Sequence, residues 1–486
     1  MSRLSIRPLV RFLPAAVILL ILYLLVQDFG LLDADSIGGD ASQNVRSGLN
    51  LAKYGVYSEL PVSELVAPGY RREPFPNFLL AIYLRLAEAF QPGFLDQARE
   101  PFGESFLLFL KTINLAWAAA LFIALWFSSR LIFAPAYAAD VLAMAQILAV
   151  NHFFVIAQLK RMNTELIAAA ILVWLSVVLL IASRRHSLRW MLMAGSVLGV
   201  MALTKSSVAY VALLVLPLIS LMFSGYRKRF WTLLIAFSLG FLIVVSPWVI
   251  RNQIQFSKFA IAKGGGDVLL IRSVFNQMTP QEFRDAFYAF SPTIVRRELL
   301  GPVMGLSDEE FACDGKLAAF NRDLECDRLA LSQKRYEDVR SLYQRGKRGL
   351  PYELSLNADE QKAYALQQFK DHPIRVLTTA LPLSWRGFWG FRSLYWKGVV
   401  LNFIAFVALF LAPVFSIVQR RLSWLMVSVV PVSLFAFYGL VSHFLPRYSL
   451  PIVPSSIVCL SMLIVSIFGS LYALYRPGSR SPVRLN

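Results

Sequence analysis

The chain has 486 residues, of which 57% are hydrophobic and only 16% are charged. A water-soluble domain carries roughly 25% charged residues, so this composition excludes an ordinary soluble fold. The formal net charge of +18 does not indicate a nucleic-acid partner, because the Lys and Arg residues lie in short clusters between apolar runs. Such clusters are typical of membrane proteins whose basic residues face anionic lipid.

Ten apolar runs are candidates for membrane spans, since a spanning helix needs about 20 mostly apolar residues. In chain order the runs are 12–26, 106–127, 137–156, 166–181, 188–203, 208–223, 231–249, 399–418, 424–441 and 450–472. Run 188–203 is short for a span, and the first run lacks a small-residue cleavage site, which favours an uncleaved helix. The pattern predicts an all-α integral membrane protein with about 10 to 13 transmembrane helices.

Basic clusters set the predicted orientation, because the cytoplasmic ends of spans hold the excess of Lys and Arg. With a cytoplasmic N-terminus, five clusters fall inside: Arg3/Arg7/Arg11, Arg184/Arg185/Arg189, Arg227/Lys228/Arg229, Arg420/Arg421 and Arg476/Arg480. This alternation requires that 75–90 and 376–391 do not cross. Both stretches carry internal charge, so they are predicted to lie in the membrane interface. Both termini are then cytoplasmic.

Three parts of the chain follow from this topology. Residues 1–250 form an N-terminal transmembrane module with an acidic outer loop at 28–104. Residues 251–397 form a periplasmic cap with an interfacial helix, and 398–486 form the C-terminal transmembrane helices. Cys313 and Cys326 lie in the cap, where oxidising conditions would allow a disulfide, and both a bond and two free thiols are open.

Motifs for metal or nucleotide chemistry do not stand out. The four histidines are far apart and form no His-x-x-x-His pattern, so a zinc site is not predicted. The glycines at 264–266 are not followed by Gly-Lys-Ser/Thr, which excludes a phosphate-binding P-loop there. No cofactor is predicted with certainty, although carboxylates near the outer membrane ends could bind Mg²⁺ or Mn²⁺.

Six short stretches occur in an order that resembles a known group of enzymes. They are GDA at 39–41, GLNLAKYGVY at 48–57, RREPFP at 71–76, NTE at 163–165, PWVIRN at 247–252 and PRYSLP at 446–451. Together they resemble the polyprenyl-phosphate-sugar-dependent glycosyltransferases of type C, which include the protein O-mannosyltransferases and the lipid A aminoarabinose transferases. The resemblance implies the GT-C fold, with the active site on the periplasmic face of a bacterial inner membrane.

The resemblance also implies a reaction, in which an acceptor hydroxyl displaces the lipid phosphate from the anomeric carbon in one inverting step. A carboxylate must accept the hydroxyl proton, and cations must hold the departing phosphate. The candidate catalytic acids are Asp40, Glu165 and Asp35; Asp40 is favoured as the base, and Asp33 and Asp35 are close enough in the sequence to exchange roles with it. The candidate phosphate ligands are Arg447, Lys205 and Arg72, and Glu73 and Tyr448 are candidate contacts for the sugar or a metal.

Each candidate also has a purely structural interpretation. Asp40 could cap a helix beginning at residue 41, since Asp is a preferred N-cap. Glu165 could pair with its neighbours Lys160 and Arg161, and Glu73 with an adjacent arginine. Arg447 and Lys205 could simply contact lipid headgroups.

Other functions remain open at this stage. A flippase or transporter for a lipid-linked sugar would also need many helices, and a polysaccharide polymerase or ligase would use similar donors. The expected partners are a polyprenyl-phosphate-sugar donor, membrane lipids, and a lipid, glycan or protein acceptor. Lipopolysaccharide and other cell-envelope glycans are among these acceptors, and the sequence does not distinguish them.

Overall fold

The computed structural model describes residues 7–29, 37–185, 187–213, 215, 227–321, 325–391, 395–475 and 484–485. Within them the chain is almost entirely helical, and the all-α prediction is confirmed. The chain divides into two compact units. The first unit comprises Met1–Lys263, Ile404–Ser433 and Leu450–Asn486, and the second comprises Gly264–Phe403 and Leu434–Ser449. The domain boundary drawn at 250/251 from the sequence lies inside one helix, Arg227–Phe256, because that helix continues past its apolar run.

The main helices before residue 263 are labelled α1 to α9. They are α1 Arg7–Phe29, α2 Gly39–Tyr54, α3 Pro74–Phe90, α4 Glu104–Lys111, α5 Ile113–Ile132, α6 Ala136–Val150, α7 Glu165–Arg185, α8 Leu188–Ala202 and α9 Arg227–Phe256 within the described residues. A wider turn, Asn151–Val155, carries α6 into Ile156–Leu159, and a short turn, Phe94–Gln97, follows α3. Two short strands, β1 Phe133–Ala134 and β2 Arg484–Leu485, pair antiparallel.

The remaining long helices follow residue 264. They are α10 Gly265–Phe275, α11 Pro280–Phe290, α12 Ala358–Asp371, α13 Pro373–Phe388, α14 Trp396–Val418, α15 Leu422–Val441 and α16 Val453–Tyr475. Between α11 and α12 the chain forms short helical turns, at Thr293–Val295, Arg296–Leu300, Gly301–Met304, Asp308–Phe311, Ala318–Phe320, Glu325–Ser332, Tyr336–Asp338, Leu342–Gln344, Arg345–Gly349 and Leu350–Glu353. One more turn, Pro446–Ile452, leads into α16.

In the part of the chain that the structure describes, seven helices are long and apolar enough to cross a membrane. They span Glu104–Ile132, Ala136–Leu159, Glu165–Arg185, Phe230–Phe256, Trp396–Val418, Leu422–Val441 and Pro446–Tyr472. Two further predicted runs form shorter apolar stretches, Leu13–Gln27 and Leu188–Ala202. The first lies within α1, a helix of 23 residues, whereas the second is a helix of only 15 residues, below the length of about 20 that a span needs. Most of the predicted run 208–223 lies outside the described residues. The chain is a multi-pass membrane protein.

Helices α3 and α13 are amphipathic and do not belong to this set of long apolar helices in the described chain. Helix α3 buries Leu80 and Leu84 and exposes Phe78, Ile82 and Leu86 on the opposite side. An apolar face of this kind, on a helix of only 17 residues, suits a position along the membrane surface.

Glycines bring α8 and α9 into direct backbone contact. A Cβ atom on Gly195 would overlap the carbonyl oxygen of Phe237, and one on Gly240 would overlap that of Leu192. Gly195 and Gly199 are four residues apart, the spacing that lets two membrane helices approach closely. Packing without side chains at the crossing point therefore fixes α8 against α9.

The second unit is organised around Arg272, which is fully buried. Its guanidinium donates to the carbonyl oxygens of Leu440 at 3.3 Å and Val376 at 2.9 Å, and to Thr379 Oγ1 at 2.9 Å. Carbonyls at the end of α15 have no partner within their own helix, so Arg272 satisfies acceptors that would otherwise be buried unpaired. Burial lowers the pKa of Arg272 to about 9.

A disulfide joins Cys313 and Cys326 in the same unit. The amide of Asn321 donates to Cys326 Sγ at 3.1 Å, and Arg340 donates to the carbonyl oxygen of Cys313. The disulfide closes a loop in the segment that the sequence assigns to the outer cap.

Candidate functional site

The first unit contains five of the predicted site residues in three polar contacts, which are linked because Arg72 and Glu73, and Lys205 and Ser206, are neighbours in the chain. Three ion pairs or hydrogen bonds form it: Asp40 with Arg72, Glu73 with Ser206, and Glu165 with Lys205. We call this set the polar cluster.

Asp40 lies in the first turn of α2, and its carboxylate forms an ion pair with Arg72. The helix begins at Gly39, and Gly38 occupies the cap position, so the structure does not use Asp40 as the N-cap. Arg72 also donates from Nε to Gln43 Oε1 at 2.7 Å. The side chain of Asp40 is 39% exposed, which leaves it accessible to a substrate.

Glu73 immediately precedes α3, and its backbone is extended. Its Oε1 atom accepts hydrogen bonds from the backbone N–H of Ser206 at 3.1 Å and from Ser206 Oγ at 3.0 Å. The predicted alternative, a pair between Glu73 and Arg71 or Arg72, is not what the structure shows. Arg72 pairs with Asp40 instead, and Arg71 is exposed.

Glu165 opens α7 and is buried, and its Oε1 atom lies 3.1 Å from Lys205 Nζ. The side chains of Glu165 and Lys205 are only 6% and 16% exposed. Lys160 and Arg161, the predicted neighbours in an ion pair, are exposed. The second oxygen of Glu165, Oε2, is buried and accepts no hydrogen bond from the described residues.

A backbone hydrogen bond joins the two segments that carry the cluster. The N–H of Phe75 donates to the carbonyl oxygen of Leu203 at 3.1 Å. Leu203 ends α8, and the next residues form the turn that bears Lys205 and Ser206. The start of α3 and the end of α8 are therefore joined by a hydrogen bond, and Arg72 and Glu73 on one side and Lys205 and Ser206 on the other lie next to it in the chain.

An open, mostly apolar pocket of about 530 Å³ lies beside the polar cluster. Pro74 and Leu203, which flank Glu73 and the Lys205 turn, are part of its lining, together with Trp248 and Arg251. The Arg251 guanidinium lies 4.6 Å from the Trp248 ring centroid and donates to the Gly69 carbonyl oxygen at 2.7 Å. The pocket thus offers apolar walls and one cation.

The other predicted site residues are placed elsewhere or lie outside the described chain. Arg447 and Tyr448 belong to the turn Pro446–Ile452 in the second unit, where the Arg447 guanidinium lies 5.6 Å from the Tyr448 ring centroid. The Tyr448 ring also lies 5.8 Å from the ring of His443. Asp33 and Asp35 fall outside the described residues.

Three residues of the site escaped sequence reasoning. Ser206 has no distinguishing pattern beyond its place next to Lys205. Tyr57 ends the stretch GLNLAKYGVY, and Asn77 lies in the first turns of α3. Their hydroxyl and amide groups contact the carbonyl oxygens of Arg72 and Glu73.

A metal would find few protein ligands here. Within the described residues, no group of three or more His, Cys, Asp or Glu side chains lies close enough to hold an ion. The carboxylates of the polar cluster already accept from Arg72, Ser206 and Lys205. A Mg²⁺ or Mn²⁺ ion stays a prediction and would depend on water and substrate oxygens for most of its ligands.

Comparison with known proteins found similar solved structures but no similar sequence family. No protein-family model and no curated protein matches the chain. The chain is similar to the archaeal oligosaccharyltransferase AglB from Archaeoglobus fulgidus, solved in complex with an inhibitory peptide and a dolichol-phosphate. The TM-score is 0.48 and the sequence identity is 13%, and the alignment covers 97% of this chain and 52% of the AglB chain. It is similar as well to the oligosaccharyltransferase of this organism in the apo form, with TM-score 0.48, 13% identity, and coverage of 96% and 51%. The chain spans about half the length of these enzymes.

Proposed function

We propose that this protein is a membrane glycosyltransferase that transfers a sugar from a polyprenyl phosphate, such as undecaprenyl phosphate, to an acceptor hydroxyl. The observation that carries the proposal is the polar cluster, in which Asp40 and Glu165 each pair with a cation and Glu73 is bound by Ser206, all at or near the ends of helices. Charged groups at such positions are costly unless they serve a function. The chemistry they suit is attack by a hydroxyl combined with departure of a phosphate.

Asp40 is the proposed base, because it is the accessible carboxylate of the cluster. It accepts the proton as the acceptor oxygen bonds to the anomeric carbon from the side opposite the phosphate. The bond between that carbon and the phosphate oxygen breaks, and its electrons leave with the phosphate. A single displacement of this kind inverts the anomeric configuration.

Lys205 and Arg72 are the proposed cations that hold the departing phosphate. Each is partly exposed and is held by an acidic residue, Lys205 by Glu165 and Arg72 by Asp40. Glu165 is too buried to receive a substrate proton directly, so we assign it to orienting Lys205. Glu73, held by Ser206, is the proposed contact for the sugar. Arg447, Tyr448 and Asp35 stay predictions.

The apolar pocket beside the cluster suits the lipid part of such a donor. Its walls match an isoprenoid chain, and Arg251 supplies a positive charge. The disulfide in the second unit agrees with a location outside the cytoplasm, because such bonds persist in oxidising compartments. We therefore propose a bacterial inner membrane protein that acts at the periplasmic face, with a lipid, protein or cell-envelope glycan as acceptor.

The test is transfer of radiolabelled sugar from polyprenyl-phosphate sugars by the purified protein in proteoliposomes. We expect Asp40→Asn to lower the rate by about 10²- to 10⁴-fold, the usual contribution of a general base. Asp96→Asn is the matched control, since Asp96 is an ion-paired acid of the same unit whose side chain is 75% exposed. It should leave the rate unchanged.

Two results would overturn the proposal. One is equal rates for wild type and Asp40→Asn. The other is a wild type that transfers no sugar from any donor in a panel but moves a labelled lipid-linked sugar between the two leaflets, which would identify a flippase.

A further inference from the structure

The phenol of Tyr57 lies at the backbone junction between Arg72 and Glu73. Its oxygen is 2.9 Å from the carbonyl oxygen of Arg72 and 3.1 Å from that of Glu73. Tyr57 itself is 4% exposed. A side chain from the end of the α2 segment therefore contacts the backbone of both cluster residues, although it touches neither of their charged groups.

Asn77 sets the direction in which the Tyr57 hydroxyl donates its proton. Its Nδ2 atom donates to the Tyr57 hydroxyl at 2.8 Å and lies 3.1 Å from the Glu73 carbonyl oxygen. A phenol has one proton and also accepts, so a donor on its oxygen directs that proton toward the carbonyls. Asn77 is 1% exposed, so both side chains are buried away from bulk solvent.

Aromatic packing fixes the ring in place. The Tyr57 ring centroid lies 4.8 Å from that of Trp248 in an edge-to-face arrangement and 5.9 Å from that of Phe78. Burial raises the pKa of Tyr57, so its hydroxyl remains a neutral donor throughout the physiological range. A buried phenol needs hydrogen-bond partners, and the partners that this one has are the Asn77 amide and the backbone carbonyl oxygens of Arg72 and Glu73.

The side chains of Arg72 and Glu73 depend on this backbone. Glu73 has extended backbone angles and follows a bend at Arg71 and Arg72. From these neighbouring positions the Arg72 side chain reaches Asp40, and the Glu73 side chain reaches Ser206. Rotation of the peptide between them would displace both contacts together.

We propose that Tyr57 and Asn77 form a positioning pair that sets the geometry of Arg72 and Glu73 for turnover. The inference rests on the proposed function, and it adds two residues that act through the backbone and do not touch the substrate. The hydroxyl of Tyr57 is the group that matters, so Tyr57→Phe removes the positioning contact while it keeps the packing of the ring.

The first test compares Tyr57→Phe with Tyr54→Phe, a matched loss of a hydroxyl on a half-buried tyrosine of the same segment. We expect Tyr57→Phe to lower kcat by about 10- to 100-fold, the usual cost of a small misplacement, with little change in KM or melting temperature. Tyr54→Phe should match wild type. A loss of melting temperature without a loss of kcat in the folded fraction would overturn the proposal.

A double-mutant cycle tests the route through Glu73. If Tyr57 acts by placing Glu73, then Tyr57→Phe should cost much less in a Glu73→Gln background than in wild type, because neighbours in one network are not additive. Fully multiplicative losses would mean that the hydroxyl does not act through Glu73.

Hydrogen exchange separates this inference from the proposed function, because it needs no substrate. We expect amide exchange in residues 70–77 to accelerate in Tyr57→Phe and in Asn77→Leu but not in Tyr54→Phe. If the wild type transferred no sugar, the proposed function would fail and the exchange data would still test the positioning. Unchanged exchange in Tyr57→Phe would refute the positioning, whatever the activity.

Discussion

The pair of Lys205 and Glu165 gives the sharpest energetic prediction. Both side chains are largely buried, with exposures of 16% and 6%, and their charged atoms are 3.1 Å apart. Removing one member of a buried ion pair leaves the other charge uncompensated, which costs about 3–5 kcal/mol. The replacements are Lys205→Met and Glu165→Gln, each close in shape to the original side chain.

The two replacements should differ in cost. Lys205→Met leaves the more buried carboxylate, whose second oxygen accepts nothing from the described residues, so we expect about 3–5 kcal/mol. Glu165→Gln leaves a lysine that is more exposed and has other interactions, so we expect about 1–3 kcal/mol, the cost of one unsatisfied buried group. The double variant should cost less than the sum, because removing both charges leaves neither unpaired.

The assay is the free energy of unfolding in mixed micelles, measured by titration with a denaturing detergent. Lys160→Met is the control, since Lys160 is exposed although it is much nearer to Glu165 in sequence. An additive double variant, or a Lys160→Met variant as unstable as Lys205→Met, would refute the reasoning.

Three further predictions concern other parts of the chain. Arg272→Met should lower the free energy of unfolding by about 1–3 kcal/mol in the same titration, because it leaves the carbonyl oxygens at the end of α15 buried without a donor. The backbone N–H groups of Leu95 and Gly93 donate to the Glu88 carboxylate and lower its pKa. This contact stabilises the turn at pH values above the ordinary carboxyl pKa, and it is lost as the pH falls through the lowered pKa. Amide protection of residues 93–95 should therefore fall at acid pH, and in Glu88→Gln it should already be low at neutral pH. Alkylation followed by mass spectrometry should modify Cys313 and Cys326 only after reduction, and modification without reductant would contradict the disulfide.

The helical architecture was predictable because long apolar runs carry a strong and local signal. Seven of the predicted runs form helices of spanning length, and the charged stretches that become α3 and α13 are not among those helices. Run 188–203, which is short for a span in the sequence, forms a helix of only 15 residues, Leu188–Ala202. The structure ends the helix at Ala202 so that the next residues can turn toward Glu73.

The identities of the charged residues were predictable, but their partners were not. Sequence shows only which groups are neighbours along the chain, so the structural alternative for Glu165 was a pair with Lys160 and Arg161, whereas the fold supplies Lys205 from a different helix end. The same limit applies to Asp40, whose structural alternative was to cap a helix beginning at residue 41, whereas it lies in the first turn of α2. Its contact with Arg72 depends on how α2 and α3 pack, and no local pattern encodes that packing.

The position of the polar cluster depends on the contact between α8 and α9, which lies some distance away along α8. Gly195 lies about 12 Å along α8 from the turn that carries Lys205, at a rise of 1.5 Å per residue. Because the two helix backbones touch there, any larger side chain must move α8 away from α9. A helix moves largely as a rigid body, so the end of α8 that leads to Lys205 would move as well. A screen for inactive variants should therefore recover substitutions at Gly195 and Gly240 as well as at Lys205. Substitutions at the two glycines would lower activity although neither residue belongs to the polar cluster.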